Sequence, residues 1–248
     1  LCSLLGRARQ EVPVYGSGGF TSYDDETMVA QLERWVNALG VPRVKIKIGE
    51  SWGSNPARDL HRVAVARRVV GDDVELFVDA NGAYRQKQAA RIGRQLSDAG
   101  VTWFEEPVSS DDHEGMRSLR AALDLDVAAG EYGYSVQYFA DLIGDQAVDC
   151  VQVDVTRVGG ITSWLAVAQL AAAHGLEVSG HCAPNLHAHV AIAVPNLRHV
   201  EYFHDHERIE GIYFDGTLSP EGGRLVPTDA PGHGLALKEV SAERWRAA

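Results

Sequence analysis

The sequence predicts an α/β protein of the closed (β/α)8, TIM-barrel type. Three observations carry that reading. Short β-rich runs alternate with longer amphipathic helical stretches, the pattern of βαβ units around a parallel sheet. Eight such runs recur at a spacing of roughly 25 residues, which suits a closed barrel better than an open sheet. Almost every run ends in a polar or ionisable residue, and in a barrel these C-terminal strand ends converge on one face. No G-x-G-x-x-G loop opens a helix, which argues against a dinucleotide-binding sheet.

In chain order, the strands are expected at Val12–Gly16, Val44–Ile48, Leu76–Asp79, Thr102–Glu105, Val127–Gly130, Val151–Asp154, Val178–His181 and Val200–Phe203. Helices are expected over Glu26–Leu39, Ala57–Val70, Gln86–Ala99, Met116–Leu123, Ser163–Ala173 and Leu186–Ala193. Gly40, Gly71, Gly100 and Gly175 follow apolar-periodic runs, where a C-cap is wanted. Past Phe203 the pattern dissolves, and residues 211–248 read as an irregular segment with short β pieces.

Composition narrows the partners. The 248 residues suffice for one large barrel or two small domains, and a 45% hydrophobic, 23% charged chain is ordinary for a globular protein. A formal charge of −11 argues against nucleic acid or an anionic membrane surface. A small anionic substrate still fits, because a bound metal and a few lysines reverse the field inside one pocket. Cys2, Cys150 and Cys182 match no paired spacing and read as reduced thiols of a cytoplasmic protein. No apolar run approaches the roughly 18 residues that span a bilayer. The opening, Leu1 to Gly6, reads as the tail of a helix whose beginning lies outside this chain.

The strand ends carry the chemistry. Asp79, Glu105 and Glu131 come from three successive strands and converge in one small volume. Singly, each would be a solvated strand end; three together repel unless a cation is present. Oxygen ligands with no Cys or His among them select Mg²⁺ over Zn²⁺. Lys45 and Lys47, at i and i+2, share a face of their strand. Buried Val44, Ile46 and Ile48 on the other face put both lysines inside the barrel. Two such ammoniums are expected to lower each other's pKa and supply a neutral base. The alternative is an edge strand with solvated lysines. His181 with Asp154 forms a two-strand pair in which the carboxylate fixes the tautomer, suited to a general acid or base. The H-x-H of His187 and His189 lies in a helix, where i and i+2 point apart, so it is not read as a metal site. His204 and His206 suit either the mouth of the site or a surface loop.

These residues also resemble a known family. Lys45-Ile46-Lys47, Val78-Asp79-Ala80-Asn81, Trp103-Phe104-Glu105-Glu106-Pro107, Gly130-Glu131, Asp154 with Gly159-Gly160, His181 and Glu201 look like the successive motifs of the mandelate racemase subgroup of the enolase superfamily, from about Gly16 to Pro231. A lone K-x-K would be weak; the ordered set is specific. The resemblance implies a modified (β/α)7β barrel, with Mg²⁺ on Asp79, Glu105 and Glu131. It makes Lys47 the base, with Lys45 supporting it, and sets His181, backed by Asp154, on the opposite face. Glu201 would hydrogen-bond the enolic oxygen, and Glu106 would turn away from the metal.

It implies further that residues 1–15 are the remnant of a capping-domain helix and its linker, residues 16–210 the catalytic barrel, and residues 211–248 its C-terminal completion. The N-terminal capping domain itself is expected outside this chain, and the full-length protein is expected to be a homo-oligomer. The activity implied is proton abstraction next to a carboxylate, favouring dehydration of an acid sugar, with racemisation of a 2-hydroxy acid as the alternative. Lactonisation or dipeptide epimerisation would want a second lysine where Asp154-Val155-Thr156-Arg157 stands. The absence of a histidine ligand disfavours zinc hydrolysis, and a lysine pair disfavours aldolase chemistry. A non-catalytic binding barrel is the remaining reading.

Overall fold

Alternation of apolar and polar residues along each strand sorts side chains between two environments. In the computed structural model, which describes residues 1–245, this alternation builds a closed eight-stranded parallel barrel. The single helical turn α1 (Cys2–Leu5) leads into β1 (Val12–Gly18). Helix α2 (Asp25–Glu33), capped by the Asp24 side chain on the Thr27 N–H, continues into a π-helical turn at Arg34–Ala38. Strand β2 (Arg43–Lys47) is followed by α3 (Glu50–Gly53), less a helix than a turn, because Ser51 and Trp52 both lie in the left-handed region.

The regular alternation then runs α4 (Pro56–Val70), β3 (Glu75–Asp79), α5 (Gln86–Asp98), β4 (Val101–Glu105), α6 (His113–Ala122) and β5 (Asp126–Ala129). It continues through α7 (Val136–Gly144), β6 (Cys150–Val153), α8 (Ile161–Ala173), β7 (Glu177–Gly180), α9 (Pro184–Ala191) and β8 (Leu197–Phe203). After α10 (His204–Tyr213) come β9 (Phe214–Asp215), β10 (Arg224–Leu225), β11 (Ala236–Leu237) and α11 (Glu239–Glu243).

Each barrel strand pairs in parallel with the next, and β8 returns to β1 through Val14↔Val200 and Tyr15↔Glu201. Short β10 adds to β1 antiparallel, Val12 opposite Leu225. The barrel expected from the sequence is the observed fold.

The outward residues of the wall, among them Val44, Ile46, Leu76, Val78, Phe104, Val127, Val151, Val153, Val178 and Val200, belong to one large core shared with the helices. Inside the barrel a second, small cluster of Tyr15, Phe77, Trp103, Ala128 and Cys150 fills the base. Above that apolar floor, the interior positions become ionisable. Besides the short α3 and α11, helices α7 and α10 fall outside the sequence expectation. Helix α7 starts where Ser135 caps the Tyr138 N–H, after a Gly-Tyr stretch that reads as loop. Helix α10 buries none of its residues, so it carries no apolar stripe to read. Residues 246–248 of the expected C-terminal segment lie outside the described residues.

Candidate active site

The barrel places Lys45, Lys47, Asp79, Glu105, Glu131, Asp154, His181 and Glu201 around one centre at its C-terminal end. Lys45 and Lys47 come from β2, Asp79 and Glu105 from the last residues of β3 and β4, and Glu201 from β8. Glu131, Asp154 and His181 each stand just past a strand, after β5, β6 and β7. All but Lys47 are buried, and the Lys47 side chain is 15% exposed.

Asp79, Glu105 and Glu131 offer ligand oxygens that all lie within 4.8 Å of one another. Asp79 Oδ1 accepts the Asn81 N–H at 2.7 Å. Glu105 is held on both oxygens: Lys45 Nζ donates to Oε1 at 2.5 Å, while Trp103 Nε1 and Gln152 Nε2 donate to Oε2, each at 3.0 Å. Lys45 also reaches Glu201 Oε1 at 2.9 Å, and Lys47 donates to Asp79 Oδ2. On the far side His181 Nδ1 donates to Asp154 Oδ2 at 2.8 Å, and Asp154 Oδ1 accepts from the Thr156 N–H and hydroxyl at 2.7 and 2.6 Å. The dyad is therefore built as the sequence predicts.

The electrostatics show more buried negative charge than the two lysines meet. Burial, followed by Asp79 and Glu201, pushes Glu105 up to about 8 in spite of Lys45. Burial and the neighbouring Glu131, Asp79 and Glu105 push Glu106 up to about 9. Glu131 Oε2 is buried with no hydrogen-bond partner, and so is Glu106 Oε1. Crowded hard oxygens, one of them orphaned, are the donor set a divalent cation such as Mg²⁺ would satisfy. The residues fit such an ion.

One expectation is corrected. Lys45 does depress Lys47, but the carboxylates prevail over both burial and that repulsion. Burial alone would lower Lys45, yet Glu105, Glu201, Tyr15 and Asp79 hold it well above the ordinary lysine value. Asp79 does the same for Lys47. Both lysines are ammoniums in this arrangement. His181 is likewise held well above the ordinary imidazole value: burial opposes, but the hydrogen bonds to Asp154 and Cys182 and the Glu131 carboxylate 3.4 Å from Nε2 outweigh it. Burial would raise Asp154; His181 and Thr156 hold it below the usual carboxylate range.

His187 and His189 lie in helix α9 as expected, whereas His204 and His206, expected at the mouth or in a surface loop, open helix α10. His187 and His189 are both buried. His187 Nδ1 donates to the Cys182 carbonyl at 2.8 Å and Nε2 accepts the Val155 N–H at 3.1 Å, a structural role. His189 Nδ1 meets Cys2 Sγ at 3.2 Å. His204 lines a cleft with Tyr23, Arg34 and Glu207 that shares no lining residue with the cleft over Lys47, and His206 pairs with Glu210 along α10.

Sequence reasoning assigned no role to Trp103 and Gln152, which donate to Glu105 from its own strand and from β6, or to Tyr15, whose hydroxyl accepts from Gln152 and Lys45. It also missed Arg157, which donates to the Glu131 carbonyl at 2.8 Å. A cleft of about 560 Å³ opens over Lys47, lined by Phe20, Trp52, Asn81 and Tyr132 among others.

A closed parallel barrel with carboxylates from successive strands gathered at its C-terminal mouth defines the class: an α/β barrel with a candidate cation centre where barrel enzymes build their sites. Residues 27–241 match the family described as enolase C-terminal domain-like, and the chain belongs to that family. It is 36% identical over 248 residues to an L-talarate/galactarate dehydratase of Salmonella typhimurium, covering 99% of this chain and 60% of that one. Among solved structures, a mandelate racemase/muconate lactonizing enzyme-like protein from Rubrobacter xylanophilus is 48% identical, with a TM-score of 0.92 over 98% of this chain and 67% of its own. The Salmonella dehydratase, solved with Mg and L-lyxarohydroxamate, superposes with a TM-score of 0.90 at 33% identity over 98% of this chain and 60% of its own. The chain thus spans about half to two thirds of the length of the curated relatives it matches.

Proposed function

We propose that the full-length protein is a Mg²⁺-dependent lyase that dehydrates an acid sugar, with Asp79, Glu105 and Glu131 as the metal ligands. The observation that carries this reading is the carboxylate cluster flanked from two sides, by Lys47 on β2 and by the His181–Asp154 dyad past β7 and β6. When bound, Mg²⁺ supplies Lewis-acid stabilisation of a developing enediolate and takes up the negative charge that Asp79 otherwise presents to Lys47. Lys47 then removes the proton next to the substrate carboxylate, and Lys45 keeps Glu105 and Glu201 in place. His181, protonated and oriented by Asp154, gives its Nε2 proton to the departing β-hydroxyl. Glu201, 2.9 Å from Lys45 and 3.7 Å from His181, would hydrogen-bond the enolic oxygen.

The cleft over Lys47 has the volume of a small-molecule site and suits a sugar acid. The similarity to the talarate/galactarate dehydratase points the same way. A second reading, racemisation of a 2-hydroxy acid, is favoured by Lys47 and His181 approaching from different strands across the mouth, where one could deprotonate and the other reprotonate.

None of the helices of the described residues is long and apolar enough to cross a membrane. All three cysteines are free thiols, in keeping with a reducing cytoplasm. A homo-oligomer of the full-length chain, with a capping domain before residue 16, completes the reading. The test is α-proton exchange in D₂O with a panel of acid sugars, with and without Mg²⁺. Metal-dependent exchange followed by loss of water is the expected result. Full-length protein that binds Mg²⁺ and exchanges no acid sugar is not this enzyme.

A further inference from the structure

We infer that His181, Cys182 and Glu201 form a second cation site, suited to a borderline or soft divalent ion such as Zn²⁺, and that filling it stops catalysis. His181 Nε2 lies 3.3 Å from Cys182 Sγ and 3.7 Å from Glu201 Oε2, and Sγ lies 3.4 Å from that same oxygen. A tetrahedral zinc with bonds of about 2.0–2.3 Å has ligand-to-ligand edges of about 3.3–3.8 Å. These three atoms are therefore spaced as one face of that tetrahedron.

The surrounding contacts hold them there. His181 Nδ1 donates to Asp154 at 2.8 Å, which directs Nε2 toward the sulfur, Glu201 and, at 3.4 Å, Glu131 Oε2. A carboxylate behind the imidazole is the usual partner of a metal-bound histidine. Lys45 occupies Glu201 Oε1 at 2.9 Å, and the Cys182 N–H fixes Oε2 at 2.9 Å. The donor set differs in kind from the adjoining three carboxylates: a thiolate and an imidazole select Zn²⁺ or Cd²⁺ where oxygens alone select Mg²⁺. Binding releases the Cys182 thiol proton and the Nε2 proton of His181 to solvent, and no electron moves. The nitrogen it takes is the one that must carry the proton to the leaving hydroxyl. The inhibition rests on the function proposed above; the binding does not.

The test uses full-length protein with Cys2→Ala and Cys150→Ala, saturated with Mg²⁺. Titration with Co²⁺ should raise a thiolate-to-cobalt charge-transfer band that is lost on adding Cys182→Ser. X-ray absorption of the zinc-loaded protein, which needs no variant at position 182, should show one sulfur neighbour at about 2.3 Å. Zn²⁺ should abolish α-proton exchange at constant Mg²⁺, and Cys182→Ser should need at least about tenfold more zinc for the same effect, the smaller end of what losing even an outer partner costs a metal site. No cobalt band, a band that survives Cys182→Ser, or a zinc shell without sulfur overturns the site. Zinc bound through sulfur with undiminished exchange overturns the inhibition. Zinc bound through Cys182 in a protein that exchanges no acid sugar supports the site and sinks the proposed function, so the two failures are distinct.

Discussion

Lys47 and His181 differ in what holds them, and that difference is measurable. Lys47 leans on a single carboxylate, Asp79, whereas His181 is fixed through Asp154, which is itself fixed by Thr156. Replacing either proton carrier, by Lys47→Ala or His181→Asn, should lower kcat by about 10²–10⁴-fold, the usual contribution of a positioned acid or base. Mg²⁺ affinity, read by calorimetry, should stay within a few-fold for His181→Asn. Asp154→Asn should approach the same loss with the imidazole still present, because the amide no longer fixes the Nδ1–H tautomer. A kcat for Asp154→Asn near wild type would remove the dyad from the mechanism.

His199 gives a residue-level prediction about pH. It is buried among Tyr15, Phe77 and Trp103, with Ser179 Oγ 2.9 Å from its Nδ1. Burial first, then Arg198, Arg43 and Lys45, holds it well below the ordinary value of 6.5. As pH falls below 6.5 the unfolded chain therefore binds a proton that the folded chain refuses, and stability is lost. His199→Gln should flatten that dependence by about 1.4 kcal/mol per pH unit below 6.5, measured by urea unfolding of variant and parent in parallel.

At the scale of elements, strand positions and most site residues were legible because a barrel strand is read from alternation, and its ionisable end residue marks the mouth. Asp79, Glu105 and His181 stand where β3, β4 and β7 finish. The residues that were not legible act sideways. Trp103 and Gln152 read as ordinary interior residues: Trp103 shares a strand face with Glu105, but only closure of the barrel brings Gln152 of β6 across to it. The lysine charge state was missed for a related reason: two ammoniums are adjacent in sequence, while the carboxylates that outweigh their repulsion come from β3, β4 and β8.

The turn after β5 is the tightest element in the site. Gly130 has φ 136, and a Cβ there would meet the Gln152 carbonyl oxygen at 2.1 Å and Phe139 at 2.9 Å. Gly130→Ala should destabilise the fold by about 2–6 kcal/mol, summing backbone strain of ~1–3 with overpacking of ~1–3. Denaturant unfolding measures it, and a shift below 1 kcal/mol would mean that β5 and β6 can separate freely.

For the molecule as a whole, the concentration of buried carboxylates at one end of the barrel makes the cation a folding ligand as well as a chemical one. Mg²⁺ at a hundredfold over its Kd should add about 2.7 kcal/mol to the unfolding free energy. Asp79→Asn should lose most of that gain, and chelation should reverse it in the parent protein. Thermal unfolding at fixed protein and graded Mg²⁺ reads both.

Strand β1 pairs with β8 across 186 positions, Val14 with Val200, and is then overlaid by β10 through Val12 and Leu225. During synthesis the early strands must therefore wait, one edge unpaired, until residue 225 has left the ribosome. At ~5–20 residues per second that interval lasts on the order of 10–40 seconds. A chain with so much deferred pairing is a natural client for chaperones, and slowing translation should raise its aggregation before it alters anything in the finished barrel.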